Sequence, residues 1–202
     1  MPAFSSEPDG ALSLSLAGLA PDSFFRRFVD INQLGRITGF LFQPGMLFND
    51  DRLWWGEKKK RARLHEGIDI FLMRDRHHQL TNVAAGMLVP APLPGRLVHF
   101  HRDFSGETIY IQHPEIRREG AVLHTIYGHL QPGAIHLCPS SIAKGQGIGA
   151  VSSPSPSSSV PAHLHISCAW IGKDQQINLL NWDTMAAGDN IVFIDPFPFL
   201  QE

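Results

Sequence analysis

Pro161-Ala162-His163-Leu164-His165-Ile166-Ser167, running on through Cys168 and Ala169 to Trp170, is the stretch on which the fold turns. It follows a low-complexity run, Ser152 to Ser159, whose composition reads as a surface loop, and from Leu164 to Trp170 it reads as a strand. On a strand, side chains at i and i+2 share one face, with Cα atoms roughly 6.5–7 Å apart. The imidazoles of His163 and His165 therefore address one cavity.

Working outward, six more apolar pieces have strand character: Ile68 to Met73, Gly86 to Val89, Arg96 to Phe100, Thr108 to Gln112, Val122 to Tyr127 and Ile148 to Val151. Gly, Pro and Ser separate them, and the chain carries 18 glycines and 15 prolines, which favours many turns over long helices. These features predict a mainly β protein with antiparallel strands. Nearer the N-terminus, Leu12, Leu14 and Leu16 alternate with Ser13 and Ser15 in the period of a half-buried strand. After Pro21, Asp22 and Ser23 can cap a short helix whose Phe24, Phe25, Phe28, Val29 and Ile31 face one side. Gly39 to Phe42 and Met46 to Phe48 read as two short strands about a turn at Gln43-Pro44-Gly45. Residues 1–50 are expected to be a packing segment, and residues 51–202 to carry the chemistry within one compact unit.

Composition narrows the function. A formal net charge of −2 supplies no global field for nucleic acid or anionic lipid. The basic cluster Lys58 to Arg63 reads as a solvated loop. No apolar run approaches the roughly 18 residues of a membrane span, and the N-terminal stretch lacks the basic start of a secretory signal. Two cysteines, Cys138 and Cys168, form no disulfide framework; they are expected to be buried thiols, with one bridge an alternative.

With 11 histidines, pattern has to sort them. A second pair, His99 and His101, has the same spacing as His163 and His165, and spacing alone leaves the two tied. "LHEGID" places His65 and Asp69 four residues apart, an imidazole and a carboxylate that suit zinc at about 2.0–2.2 Å. On a straight strand they would be roughly 13 Å apart, so a bend at Gly67 is needed to bring both to one ion. A helical site of HExxH type, with Glu66 as base, competes; Gly67 weakens a helix there, and Ile68, Ile70 and Phe71 favour a strand. "TIYGHL" adds His129 at the end of an apolar run.

Taken in order, "HEGID", "YGHL" about sixty residues on, "GQGIG" at Gly145 to Gly149 and finally "PAHLHIS" resemble the lysostaphin/LytM-type zinc metallopeptidases. The similarity covers about Leu64 to Ser167, with a weaker echo in Asp195-Pro196. The resemblance implies an antiparallel β-sheet groove of the duplicated hybrid type, with zinc on its floor. It implies zinc ligands His65, Asp69 and His165, and a catalytic pair His163 and His129, and it leaves His99 and His101 on an ordinary strand. Two neutral imidazoles and one carboxylate would leave the ion at net +1 with an open position, the composition of a catalytic site.

The implied activity is endopeptidase cleavage of the peptide part of bacterial peptidoglycan, in the cell envelope or outside the cell. The loops at 114–120, 133–144 and 152–159 are expected to wall the groove. Two departures stand out: SSPSPSSSVPA precedes H-x-H where the family has glycine-rich sequence, and, with only Tyr110 and Tyr127 present, no tyrosine lies upstream of His65 to serve the oxyanion. Residues 1–50 offer Asn32, Asn49 and Asp50 as polar candidates for an inhibitory fourth ligand. Two other readings are a catalytically silent scaffold or activator of a wall enzyme, and a zinc-free β-sandwich or carbohydrate-binding module.

Overall fold

Strand-forming apolar runs separated by turn residues give an antiparallel architecture in a computed structural model that describes residues 4–7, 9–57, 60–133, 140–154 and 159–202. In chain order the strands are β1 (Phe4–Ser6), β2 (Leu12–Ser15), β3 (Ile37–Phe42), β4 (Ile68–Ile70), β5 (Leu72–Asp75), β6 (Leu80–Asn82), β7 (Leu88–Pro90), β8 (Gly95–Asp103), β9 (Gly106–Arg118), β10 (Ala121–Leu130), β11 (Ser141–Ile142), β12 (Gly147–Ala150), β13 (Leu164–Gly172) and β14 (Ile191–Ile194). The helices are α1 (Phe24–Ile31), α2 (Trp182–Ala187) and α3 (Phe197–Gln201). The protein is thus mainly β with antiparallel sheets and a short N-terminal helix, as the sequence predicts.

One sheet has the order β1-β2-β3-β5-β6. A second runs β11-β8-β9-β10-β13-β14, with β4 also pairing β13, and β7 and β12 form a separate ribbon. The expected strand Ile68 to Met73 is divided at Phe71: β4 pairs β13 in one sheet and β5 pairs β3 in the other. This division ties the two sheets together beside the "HEGID" motif. Met46 to Phe48 is not a strand but part of a turn, and Met46 is held inside because its carbonyl accepts the amide of Asp69 at 2.9 Å.

The main core lies between the sheets. Phe25 and Phe28 of α1 pack on Phe40 and Phe42 of β3, with ring centroids 5.0–6.2 Å apart, Phe24 packs against Phe25 and Phe28, and Phe197 of α3 closes on Phe25 and Phe42. Leu164 and Ile166 of β13 join this core, whereas Ala169 and Ile171 face a smaller one formed with Leu180, Met185 and Ile191. The strand period therefore places His165 and Ser167 on the same face as Ala169 and Ile171. Residues 177–191 cover that face at one end, and a cleft opens at the other.

Candidate metal centre

The register of β13 sets the site. His165 is paired with Asp69 of β4 on one side and with Gly128 of β10 on the other. Gly67 lies against β13 so tightly that a Cβ there would be 2.3 Å from the Ile166 carbonyl oxygen and 2.8 Å from His165 Nε2. The chain does bend at Glu66 and Gly67, but Gly67 is absent from the residues with left-handed φ. What demands glycine is this close approach, and it brings His65 and Asp69 to one place.

Three donor atoms converge there. His65 Nε2 is 3.3 Å from Asp69 Oδ1 and 3.3 Å from His165 Nδ1, and His165 Nδ1 is 2.8 Å from Asp69 Oδ1. A tetrahedral zinc with bonds of about 2.0–2.2 Å has ligand–ligand edges of about 3.3–3.6 Å, so the donors already stand near the spacing an ion requires. All three residues are buried, and this is the group of three His, Cys, Asp or Glu side chains among the described residues that can hold a metal. Burial would raise the Asp69 carboxyl, but the imidazoles of His65 and His163 and the hydrogen bond from His165 hold it well below the usual carboxylate range.

Each donor is aimed by a partner on its far side. The Nδ1–H of His65 donates to the Leu47 carbonyl at 3.0 Å, which leaves the lone pair on Nε2. Asp69 Oδ2 accepts from Trp54 Nε1 at 2.7 Å and Arg61 Nη2 at 3.1 Å, which leaves Oδ1 to the cluster. His165 Nε2 is 2.8 Å from the Ser167 hydroxyl. The short contact between His165 Nδ1 and Asp69 Oδ1 carries a proton as it stands. A cation would displace that proton, and the hydroxyl, which both donates and accepts, serves either tautomer.

Two further histidines border the cleft. His163 Nδ1–H donates to the Pro161 carbonyl at 2.8 Å, so Nε2 is unprotonated, 3.6 Å from Asp69 Oδ1. Burial pushes this imidazole down to about 4. His129 sits 4.7 Å from His163 between ring centroids. Regular alternation would turn it away, because Gly128 faces His165. A register shift between Tyr127 and Leu130, with His129 at φ 59°, re-aims it into the cleft. Gly128 itself is constrained, since a Cβ would be 3.2 Å from Trp182 and 3.4 Å from His165 Cβ.

The structure thus gathers His65, Asp69, His129, His163 and His165 within one site. His99 and His101 lie on β8, where His99 Nε2–H donates to the Leu180 carbonyl at 2.9 Å and His101 Nδ1 is 3.2 Å from the Tyr110 hydroxyl. Asn32 bonds the Leu88 backbone, and Asp50 bonds Arg52 and the Gly45 amide; neither side chain turns to the donors.

A cleft of about 250 Å³ is lined by Trp55, Arg61, Glu66, Phe104, Trp182 and, of the site residues, Asp69, His129, His163 and His165. One of the expected walls lies elsewhere. The 114–120 segment forms the end of β9 and its turn into β10, at the opposite end of β10 from His129, roughly 25 Å away at strand rise. Residues 134–139 and 155–158, which include half of each of the other two expected walls and Cys138, lie outside the described residues. Cys168 is a free, buried thiol.

Sequence reasoning missed Asp103, Trp54, Arg61 and Trp182. Arg61 belongs to the basic cluster read as a solvated loop, yet its side chain is only 14% exposed, reaches Asp69 and lies 4.8 Å over the Trp55 ring. A paired tryptophan beside a basic run was the available signal.

Three solved structures are similar to this chain. The chain matches the solution structure of lysostaphin with a TM-score of 0.40 and 20% identity, over 69% of this chain and 44% of that one. It matches LytU with a TM-score of 0.39 and 16% identity, over 83% and 92% of the two chains. It also matches the catalytic domain of EnpA, a prophage-encoded M23 protein from Enterococcus faecalis, with a TM-score of 0.36 and 19% identity, over 71% and 93%. The chain spans less than half the length of lysostaphin. No family model and no curated protein sequence matches the chain. The fold and the chemistry of the site rest on the strand pairings and distances given above.

Proposed function

We propose that this protein is a zinc metalloendopeptidase that cleaves peptide bonds in bacterial cell-wall peptidoglycan, in the envelope or outside the cell. The observation that carries this reading is the convergence of His65 Nε2, Asp69 Oδ1 and His165 Nδ1 to 2.8–3.3 Å, each aimed by a separate partner, beside a cleft that also receives His129 and His163. The ordered sequence motifs support the choice of substrate.

His65, Asp69 and His165 would hold the ion. Three donors with one negative charge suit Zn²⁺ and leave a position open for chemistry. When bound, zinc supplies Lewis acidity to the scissile carbonyl and draws the pKa of a water towards about 7. The protein's own groups do the rest. His163 presents an unprotonated Nε2 to the cleft and can accept a proton from the attacking water. His129, across the cleft, offers a second imidazole within reach of the reacting carbonyl or the leaving amine. Trp54 and Arg61 fix Asp69 as a ligand through one oxygen. Trp55, Phe104 and Trp182 line the cleft beside these groups.

The test is elemental analysis of the purified protein for zinc, followed by hydrolysis of peptidoglycan and Gly-Gly peptides with and without chelator. One zinc per chain and chelator-sensitive cleavage are expected. Zinc without cleavage would make the protein a scaffold or activator, and no stoichiometric metal would remove the reading altogether.

A further inference from the structure

We propose that Asp103 is a positioning residue that fixes the tautomer and the aim of His129 at the cleft. The inference rests on the reading of His129 as a proton-handling group.

Asp103 ends β8, and its side chain is 1% exposed. Its carboxylate is held from two sides: Oδ1 accepts the Ser105 amide at 2.8 Å, and Oδ2 accepts the Thr108 hydroxyl at 2.7 Å. Burial works to raise this carboxyl, yet His129 and Thr108 hold it well below the ordinary carboxylate range, so it stays a pure acceptor. The same Oδ2 receives the backbone amide of His129 at 3.0 Å and lies 3.3 Å from His129 Nδ1. One oxygen therefore addresses both the main chain and the ring of a single residue.

That double contact falls where the backbone needs it. His129 has φ 59°, a conformation a β-carbon disfavours, inside the register shift that turns the residue towards His163. Its Nδ1 is buried and has no hydrogen-bond partner of its own among the described residues, and the Asp103 carboxylate 3.3 Å away is the charged group that faces it. An ionised carboxylate cannot donate, so Nδ1 carries the hydrogen and Nε2 shows its lone pair to the cleft. His163 acquires the same tautomer from the carbonyl of Pro161. Two imidazoles 4.7 Å apart thus face the cleft with matched nitrogens, one set by a main-chain oxygen and the other by Asp103. Phe104 packs on this side, with its ring 4.8 Å from that of His129.

Asp103→Asn keeps the size but removes the charge: because Oδ2 faces both the amide and the ring, either the NH₂ takes its place and favours a hydrogen on Nε2, or a neutral oxygen does and holds the Nδ1 hydrogen more weakly. With zinc content unchanged, kcat is expected to fall by about 10²- to 10⁴-fold, the range of proton-transfer catalysis, while KM stays within about twofold. Long-range ¹H–¹⁵N spectra of the ring supply a readout apart from turnover. The wild type is expected to show His129 protonated on Nδ1, and Asp103→Asn to show Nε2 protonation or a mixture. Wild-type protein with His129 protonated on Nε2 would overturn the proposal without any variant. A folded Asp103→Asn protein with unchanged ring signals and kcat within twofold would do the same. Failure of the wild type to cleave any wall peptide would sink the proposed function alone, because the ring spectra still report on Asp103.

Discussion

Replacing Gly67 with alanine should break the site without touching a donor. A β-carbon at this position would stand 2.3 Å from the Ile166 carbonyl oxygen, 2.6 Å from Ser167 Oγ and 2.8 Å from His165 Nε2. The serine hydroxyl can rotate away, but the carbonyl belongs to β13, held by β10 on its other side. An ordinary carbon–oxygen contact therefore requires β4 to withdraw by about 1 Å, which opens the pairing of Ile68 to Ile70 with β13. Overpacking of this kind costs about 2–3 kcal/mol, or a fall of about 4–12 °C in melting temperature for a chain of this size. The same shift moves Asp69 away from His165, whose present contact is 2.8 Å. Zinc affinity should drop by at least about 10–100-fold, the loss typical when groups behind a ligand are disturbed. Thermal unfolding and competition with a chromophoric chelator measure the two effects. A Gly67→Ala protein that melts within 2 °C of wild type and binds zinc equally well would refute the argument from close approach.

Trp54→Phe removes the indole N–H that donates to Asp69 Oδ2 at 2.7 Å while keeping most of the ring that packs on Phe71; zinc affinity should fall about tenfold with the fold retained, and unaltered affinity in the same competition would dismiss the clamp. His124 is buried between donors and acceptors that suit only the neutral ring: its Nδ1–H donates to the Val122 carbonyl, its Nε2 accepts from Gln112, and Gln112 is in turn bonded by Arg96. Burial lowers this histidine from 6.5 to about 4. As pH falls through 6.5 the unfolded chain takes up a proton that the folded chain refuses until about 4, so roughly 2–3 kcal/mol of stability should be lost over that window. Urea titrations of wild type and His124→Phe at pH 7 and pH 4.5 should differ in slope, and parallel curves would count against it. Burial also pushes the Cys168 thiol up; it should resist iodoacetamide in the folded protein and react on unfolding, as peptide mass mapping can show. Rapid native labelling would contradict its placement.

Local pattern made much of this protein legible. Period-2 alternation and turn residues identified a mainly β chain, because the pleat writes itself into sequence wherever a strand has two different faces. The ordered motifs picked out five residues that the structure brings into one site. Other features depended on contacts that spacing does not encode. Ile68 to Met73 reads as one strand, and its division at Phe71 follows from having two sheets to join. The role of Gly67 is set by the carbonyl of a residue about a hundred positions later. Arg61 looked solvated because its neighbours are basic, whereas its partner Asp69 comes close only once the chain has folded back.

By itself, then, the amino-acid order determined which side chains can bind a cation and which segments become strands, since both are properties of residue type and short-range period. It did not determine where His129 points. A regular strand would send that ring away from His165, and only the register shift opposite β9, with one carboxylate oxygen of Asp103 accepting the amide and standing 3.3 Å from the ring nitrogen, turns it into the cleft. Aim is a tertiary property, because it depends on how one strand is paired with the next and not on the residues of either strand alone.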